Sequence, residues 1–206
     1  MLIDRLASGI LATLLLGAPA AAHAKKPLTA MALQWSPTSE LSEFGEVDLT
    51  GIGALELQLG SFDDERDVRD RVGENREDDA RVMMVSTPDD VAAFVRQGLQ
   101  ATIGRVGLRT VETDGDVVLS GAVRRFFVTE RQTYVGEVAI WLVARSRAGE
   151  VLWEGLANGS ATRFGRSYKA ENYNEVFSDS VMGAAMALLQ NKSFAAVLRE
   201  QGPAAE

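Results

Sequence analysis

Three pairs of adjacent aspartates are the side chains of this chain best suited to chemistry, because two carboxyl groups can act as general acid and general base. The pairs are Asp63-Asp64, Asp78-Asp79 and Asp89-Asp90. Neighbouring side chains point to opposite faces of a strand and diverge on a helix, so adjacency in sequence does not create a shared site. We expect Asp89-Asp90 to stabilise a helix start and nearby arginines to balance the other pairs. The sequence therefore predicts that the protein is not an enzyme.

Other side chains that commonly carry catalysis or bind metals are almost missing. His23 is the only histidine, and the chain has no cysteine. Oxygen ligands alone can hold calcium, but the stretch from Asp63 to Asp79 lacks ligands alternating around a central glycine. Asp114-Gly115-Asp116 is only a short acidic turn. We predict no catalytic residue, no cofactor and no metal site.

A basic and aromatic cluster follows a segment rich in small side chains. It consists of Arg163, Phe164, Arg166, Tyr168 and Lys169. Gly155 and Gly159, which precede it, lack the spacing of a phosphate-binding loop and are typical of a bent or twisted strand. The cluster either packs within the domain or docks a partner or an anionic ligand. Because its charge is opposite to that of the acidic segment 61–82, we predict it as the partner-binding site.

The first 24 residues have the pattern of an export signal. Arg5 precedes an apolar run, and Ala22-His23-Ala24 has the small-x-small form that signal peptidase cleaves. We predict that residues 1–24 are removed, His23 with them, and that the mature chain begins at Lys25 in the periplasm. The apolar run is shorter than the roughly 20 residues that span a bilayer. Lys25 also stands where a lipoprotein carries its acylated cysteine. We therefore expect no transmembrane segment after cleavage and no lipid anchor.

The charge and composition restrict the partners and the fold. The formal net charge is -8 at pH 7, and the sequence pI is about 4.8. Binding to a nucleic-acid backbone requires a basic face, so we exclude nucleic acid as a partner. Without cysteine there are no disulfides, and an exported fold must depend on packing alone.

Composition and periodicity divide the chain beyond the signal into three parts. Residues 25–50 show no sustained period and are predicted to form an extended leader. Residues 51–200 are predicted to form a single α+β domain, and residues 201–206 a disordered tail. Within the domain, the charged segment 61–82 has few apolar residues, so we predict a long mobile loop that is either functional or disordered.

Strand and helix patterns then predict the fold class. Strands are expected at 52–59, 82–85, 108–111, 117–129, 134–145 and 151–163. Helices are expected at 88–105, started by Thr87 and Pro88, and at 173–190, capped by Asn172, with a further helical turn or two around Phe194. The three long strands are expected to form an antiparallel meander. The predicted fold is α+β: an antiparallel β-meander sheet with an added N-terminal strand and two main helices packed on one face.

Two stretches have a pattern that is found in a known family. They are Arg105-Val106-Gly107-Leu108 and the run 153–180, from Trp153-Glu154-Gly155 to Asp179-Ser180. Together with the order of elements over residues 50–198, they resemble the uncharacterized YajG-like family of bacterial envelope proteins. The resemblance implies the fold and an envelope location but supplies no catalytic residue. Such proteins are commonly lipoproteins, and this chain lacks the cysteine that carries the lipid.

Three hypotheses of function follow from these observations. The first is an exported, periplasmic, non-enzymatic accessory or binding protein of the bacterial cell envelope. It would act through protein–protein contacts with an unidentified envelope protein, and weak homo-oligomerisation is left open. The alternative is a periplasmic small-molecule or lipid carrier with a pocket between sheet and helices. The third is a carboxylate-dependent hydrolase that would require Asp63 or Asp79.

Overall fold

The computed structural model describes residues 27–52 and 54–202. The predicted signal peptide at 1–24 and residues 203–206 of the predicted tail lie outside them. The strands are β1 Glu56–Asp64, β2 Gly73–Asn75, β3 Met83–Val85, β4 Arg109–Val111, β5 Val117–Glu130, β6 Thr133–Ser146 and β7 Val151–Phe164. The helices are α1 Val91–Val106, α2 Ala170–Leu189 and α3 Lys192–Gln201, and a short 3₁₀ helix, Leu41–Phe44, lies in the leader.

The sheet is mixed, which corrects the prediction of an antiparallel sheet. The meander itself is confirmed, because β5 pairs antiparallel with β6, and β6 with β7. The other edge of β5, however, pairs parallel with β1, and β4 pairs parallel with the far edge of β1. The reason is the connection: the chain leaves β1 and returns through α1 on one face of the sheet, and such a crossover brings the next strand back in the same direction.

Two strands share one edge of β5. β1 pairs with its first half, up to Asp64 opposite Val123, and β2 pairs parallel with its end, from Gly73 opposite Val128. Within the described chain, residues 124–127 have no strand partner on this edge, and the register of β5 also shifts there against β6. The chain between β1 and β2 therefore loops outward beside the middle of β5.

The segment predicted as a mobile loop, 61–82, contains the end of β1 and all of β2. Arg66 is only 6% exposed. It donates two hydrogen bonds of 2.8 Å to the Asp64 carboxylate and a third, of 3.2 Å, to the Arg71 carbonyl. Charged residues thus order this segment through ion pairs, although it has few apolar side chains for burial. Composition predicted a mobile loop because it does not show which charged side chains form ion pairs with each other.

α1 and α2 lie on one face of the sheet, as predicted. α1 buries the apolar stripe that the sequence showed, including Val95, Leu99 and Ile103. Its start was misplaced, because Asp90 rather than Thr87 caps the helix and accepts from the Ala93 amide at 3.0 Å. Both residue types cap well, so sequence alone did not decide between them.

The start of α2 is also different from the prediction, and a third helix follows it. α2 begins at Ala170, and Asn172, predicted as its cap, lies within the helix and donates to the hydroxyls of Tyr134 and Ser167. The turn or two expected near Phe194 is the ten-residue α3, which Asn191 caps. The Phe194 ring packs 5.0 Å from that of Trp153 on β7.

The leader is an extended strap that lies along α2. The backbone amides of Gln34, Ser36 and Thr38 donate to the side chains of Asn174, Ser178 and Asp179, in that order, at 2.8–3.2 Å. Trp35 of the strap packs edge-on against Phe94 of α1, with ring centroids 6.0 Å apart. The polar side chains of α2 that face the strap are therefore buried with hydrogen-bond partners, as buried polar groups require.

Glycines on the meander allow α2 to approach the sheet closely. A Cβ on Gly159 of β7 would overlap the backbone carbonyl oxygen of Ser180 and the backbone nitrogen of Ala184. A Cβ on Gly136 of β6 would lie 2.5 Å from Val176. Gly159 was interpreted from the sequence as the mark of a bent strand, whereas in the structure it is a contact point for the helix backbone.

We predict that Gly159→Ala lowers the free energy of unfolding by about 1–3 kcal/mol, the usual cost of overpacking. The new methyl group meets helix backbone, which cannot move away by a change of rotamer. Urea unfolding followed by circular dichroism measures the effect.

Gly104→Ala is the matched control. Gly104 lies on α1, and a Cβ added there would meet no atom within 4 Å beyond its own helix in the described chain. Because alanine is the better helix former, this substitution should raise stability by about 0.5–1 kcal/mol. Equal effects of the two substitutions would contradict the close approach of α2.

Candidate functional site

The structure divides the predicted partner-binding cluster into two groups. Tyr168 is 6% exposed and belongs to the core, and Arg163 forms an ion pair with Glu175 of α2. Phe164, in contrast, is 84% exposed at the end of β7, and Arg166 and Lys169 are also exposed. Of the cluster, these three residues are the exposed ones, and their role in binding remains a prediction.

Tyr168 belongs to a buried polar network around Glu130. Glu130 ends β5 and is fully buried. One of its carboxylate oxygens accepts from the Tyr168 amide and the other from the Tyr173 hydroxyl, both at 2.9 Å. Burial, and then the charge of Glu130, raise the pKa of Tyr173 above its ordinary value. The network contains the chain's three tyrosines, since Tyr134 packs edge-on against Tyr173.

Sequence reasoning missed Glu130. One signal was available, because Glu130 has the same parity on β5 as the apolar residues Phe126 and Val128. An acidic residue at an inward position must be hydrogen-bonded when it is buried. The network also explains the position of Tyr168, whose hydroxyl accepts from the Leu28 amide at 2.9 Å and donates to the Met84 carbonyl at 3.0 Å. It connects the leader, β3 and β5, so its role is structural.

Arg166 and the acidic segment meet in a groove of about 400 Å³. Glu77 and Asp79 line the groove on the acidic side, and Asp79 forms an ion pair of 3.2 Å with Arg131 of the β5–β6 turn. The two segments of opposite charge are therefore neighbours in the folded chain, a contact that their separation in sequence did not show.

The aspartate pairs have structural partners. Asp64 binds Arg66, and Asp79 binds Arg131. Burial raises the pKa of Asp64, but its hydrogen bonds to Arg66 outweigh that effect, so the pKa lies below its usual value. Asp89 accepts from the Leu33 amide of the leader at 2.7 Å, and its neighbour Asp90 caps α1. In the described residues, no three carboxylates or imidazoles are grouped as metal ligands would be.

The face of the sheet opposite α1 and α2 is covered by no element of the described chain, and we call it the outward face. Trp141 of β6 lies in its centre, directly paired with Leu156 of β7 on one side and Ala122 of β5 on the other. Trp141 is 36% exposed and Leu156 is 49% exposed. These residues form an apolar row across three strands, next to the exposed Val151 at the start of β7.

Charged side chains surround the apolar row. Arg125 of β5 and Glu137 of β6, which are diagonal neighbours, form an ion pair on one side of it. The Arg125 guanidinium lies 5.7 Å from the centre of the Phe127 ring. Glu154 and Arg145 lie on the other side. The sequence contained the signal for this face, because Glu137, Trp141 and Val143 share the parity opposite to the buried residues of β6. It did not show that the face stays uncovered.

Comparison with known proteins gives a similarity of fold. No family model matches the chain, and no curated protein matches it. A crystal structure of a Xanthomonas campestris protein, described under the family model DUF330, has a TM-score of 0.52 at 10% identity. The match covers 82% of this chain and 95% of that chain. The protein therefore shares its fold with a protein of an uncharacterized family, and the YajG-like resemblance is not specifically confirmed.

Two further structures overlap only in part. A minor lipoprotein from Acinetobacter baumannii matches at 12% identity over 68% of this chain and 93% of that chain, with a TM-score of 0.38. A PelC dodecamer from Paraburkholderia phytofirmans matches at 14% identity over 64% of this chain and 89% of that chain, with a TM-score of 0.37. At these scores neither similarity supports a statement about the function or assembly of this chain.

In the part of the chain that the structure describes, no single helix is long and apolar enough to cross a membrane. α2 and α3 meet the length and composition criteria only when taken together, and they are bent by 66° relative to each other.

We predict that Tyr173→Phe lowers the free energy of unfolding by about 1.5–3 kcal/mol near neutral pH, because a buried carboxylate loses a hydrogen bond. The folded-state pKa of Tyr173 is raised, so its contribution is fully present below the unfolded pKa of about 10 and is lost as the pH rises above that value. The difference between the variant and the unchanged protein should therefore shrink above about pH 10. Denaturant unfolding measured on both sides of that pH tests this, and a constant difference would contradict it.

Proposed function

We propose that this protein is an exported, periplasmic, non-enzymatic binding protein of the bacterial cell envelope, and that it docks another envelope protein on its outward face. The predicted export signal at 1–24 supports the location. One observation carries the proposed function: the apolar row of Trp141, Leu156 and Ala122 lies on the sheet face that no described element covers.

The pattern on this face fits a folded protein as the partner. Protein–protein interfaces have an apolar centre enriched in aromatic residues and a polar rim. Here Trp141 lies in the centre, and the Arg125–Glu137 ion pair and Glu154 lie in the rim. Charges of both signs in the rim favour a partner that offers complementary charges, and they disfavour a uniformly anionic surface. The exposed Phe164, from the predicted partner-binding cluster, extends the face toward the end of β7.

The outer edge of β7 offers the partner a second mode of contact. β7 runs for 14 residues and, within the described chain, pairs only with β6, so its other edge presents backbone donors and acceptors. Such an edge accepts an added strand. Leu156 and Phe164 lie on the outward face of the same strand, so a partner that adds a strand here would also contact the apolar row.

The carrier hypothesis requires unfilled apolar volume between the sheet and the helices. That space contains tightly packed aromatic rings: Phe126 of β5 stacks on Phe177 of α2 at 4.0 Å and meets Phe94 of α1 edge-on at 5.7 Å. This packing gives the carrier hypothesis no support. The hydrolase hypothesis gains none from Asp79, which is engaged by Arg131, and its other candidate, Asp63, is exposed on β1.

A photocrosslinking residue, p-benzoylphenylalanine, placed at Leu156 tests the docking proposal in intact cells. We expect one discrete adduct with an envelope protein, and we expect Trp141→Glu to reduce it at least tenfold. The glutamate carboxylate would lose its hydration at the centre of an apolar contact without gaining a partner, so the envelope protein should bind more weakly. Thermal unfolding should be little changed, because Trp141 is partly exposed on the surface.

The same crosslinker at Val82 is the matched control. Val82 is 39% exposed, similar to Trp141, but lies on the segment before β3 rather than on the outward face. Adducts from Val82 that equal those from Leu156, or an adduct that Trp141→Glu leaves unchanged, would contradict the proposal. An adduct with twice the mass of the chain would identify a second copy as the occupant instead of a different protein.

A further inference from the structure

A second concave site, distinct from the apolar row, lies beside the middle of β5. Its floor is residues 124–127, the stretch that has no strand partner on this edge in the described chain, and its wall is the loop between β1 and β2 together with the start of β2. The pocket has a volume of about 270 Å³. It is lined by five arginines: Arg66, Arg71, Arg76, Arg124 and Arg125. We call it the arginine pocket.

Four of these five guanidinium groups are paired with carboxylates. Arg66 binds Asp64 at 2.8 Å, Arg124 binds Glu65 at 2.5 Å, Arg76 binds Glu74, and Arg125 binds Glu137. These pairs hold the wall and the floor of the pocket in place. The carboxylates also neutralise most of the positive charge, so the number of arginines alone does not make the pocket basic.

Arg71 is the exception. Its Nη1 donates at 3.3 Å to the Met84 sulfur, which is a weak acceptor, and its Nε is buried without an acceptor in the described chain. No ion pair joins Arg71 to a carboxylate among the described residues. A guanidinium left with a thioether and an unsatisfied N–H is unusual, because buried donors are nearly always satisfied. It is therefore available for a stronger oxygen acceptor.

We propose that the arginine pocket binds one compact oxyanion of the phosphate type, with Arg71 as its principal ligand. The planar guanidinium of Arg71 presents paired N–H donors that match the oxygens of phosphate. Val68 and Phe127 add apolar walls. The phosphate group can belong to a free ion or to a lipid headgroup, and the pocket chemistry is the same for both. The arginine pocket borders the rim of the outward face, because Arg125 belongs to both, but phosphate binding does not depend on the docking of a protein there.

One carboxylate opposes this ligand. Asp67 lines the pocket and takes part in no ion pair among the described residues, whereas the other acidic residue of the lining, Glu74, is bound to Arg76. An anion near Arg71 is therefore repelled by Asp67, and removing that charge should strengthen binding. If Arg71 and Asp67 had purely structural roles, removing their charges would not change the affinity for the anion in opposite directions.

Calorimetric titration of the purified protein with inorganic phosphate at constant ionic strength tests the proposal. We expect saturable binding that Arg71→Gln weakens about tenfold or more, since a charge-assisted hydrogen bond to the ligand is lost. Asp67→Asn should tighten binding severalfold. Arg109→Gln is the matched control and should leave the affinity unchanged, because Arg109 of β4 is an exposed arginine that lies outside the pocket and forms an ion pair with Glu56 of β1.

A second arm distinguishes the two sources of phosphate. The protein is sedimented with vesicles of phosphatidylcholine, either alone or mixed with phosphatidic acid. The site is assigned to a lipid headgroup if the protein sediments only with vesicles that contain phosphatidic acid, and if either added inorganic phosphate or the Arg71→Gln substitution abolishes this sedimentation. Saturable phosphate binding without retention on vesicles assigns the site to a soluble phosphate. The proposal is overturned if inorganic phosphate shows no saturable binding, or if folded Arg71→Gln protein, checked by circular dichroism, binds it as the unchanged protein does.

Discussion

The burial of α2 on nearly every side is the constraint on which the rest of the structure depends. On one side the helix backbone rests directly on the meander at Gly159, where a Cβ would overlap it, and the side chains of Val176 and Ser180 fill the space over Gly136. On the other side Asn174, Ser178 and Asp179 bind the backbone of the leader. These polar side chains are buried beneath the leader and depend on it for hydrogen bonds, so the leader is a structural part of the domain rather than an appendage.

The position of α2 also determines which surfaces remain for partners. With α1, α2 and the leader stacked on one face of the sheet, the opposite face of β5, β6 and β7 is left to solvent, and its apolar row has no partner within the described chain. The shared edge of β5 has a different consequence. Because β1 and β2 pair with its two ends and leave the middle unpaired, the connecting loop forms a pocket there. The outward face therefore results from the placement of the helices, and the arginine pocket results from strand pairing.

Charged residues contribute to this fold mainly through pairs and networks. The ion pair of Arg66 and Asp64 orders a segment that composition alone predicts to be mobile. Glu130, fully buried, is satisfied by Tyr168 and Tyr173, and this explains why Tyr168 lies in the core. Arg71 is informative because it departs from the same rule: its neighbours have carboxylate partners, and among the described residues it has only a sulfur acceptor.

The sequence by itself determined the features of the protein that depend on local pattern and residue type. The strand 117–129, its two successors and the stripe of α1 were predicted within a few residues, because hydrophobic periodicity is a local property. The lack of cysteine and the position of the only histidine were equally plain. Only the tertiary structure decided the parallel pairing of β1 with β5, the role of Gly159 and the partners of Glu130 and Arg71. The strand pairing, the contact at Gly159 and the partners of Glu130 join residues far apart in the chain, and the Arg71 contact depends on the pairing of β2 with β3, so none of them is visible in a local pattern.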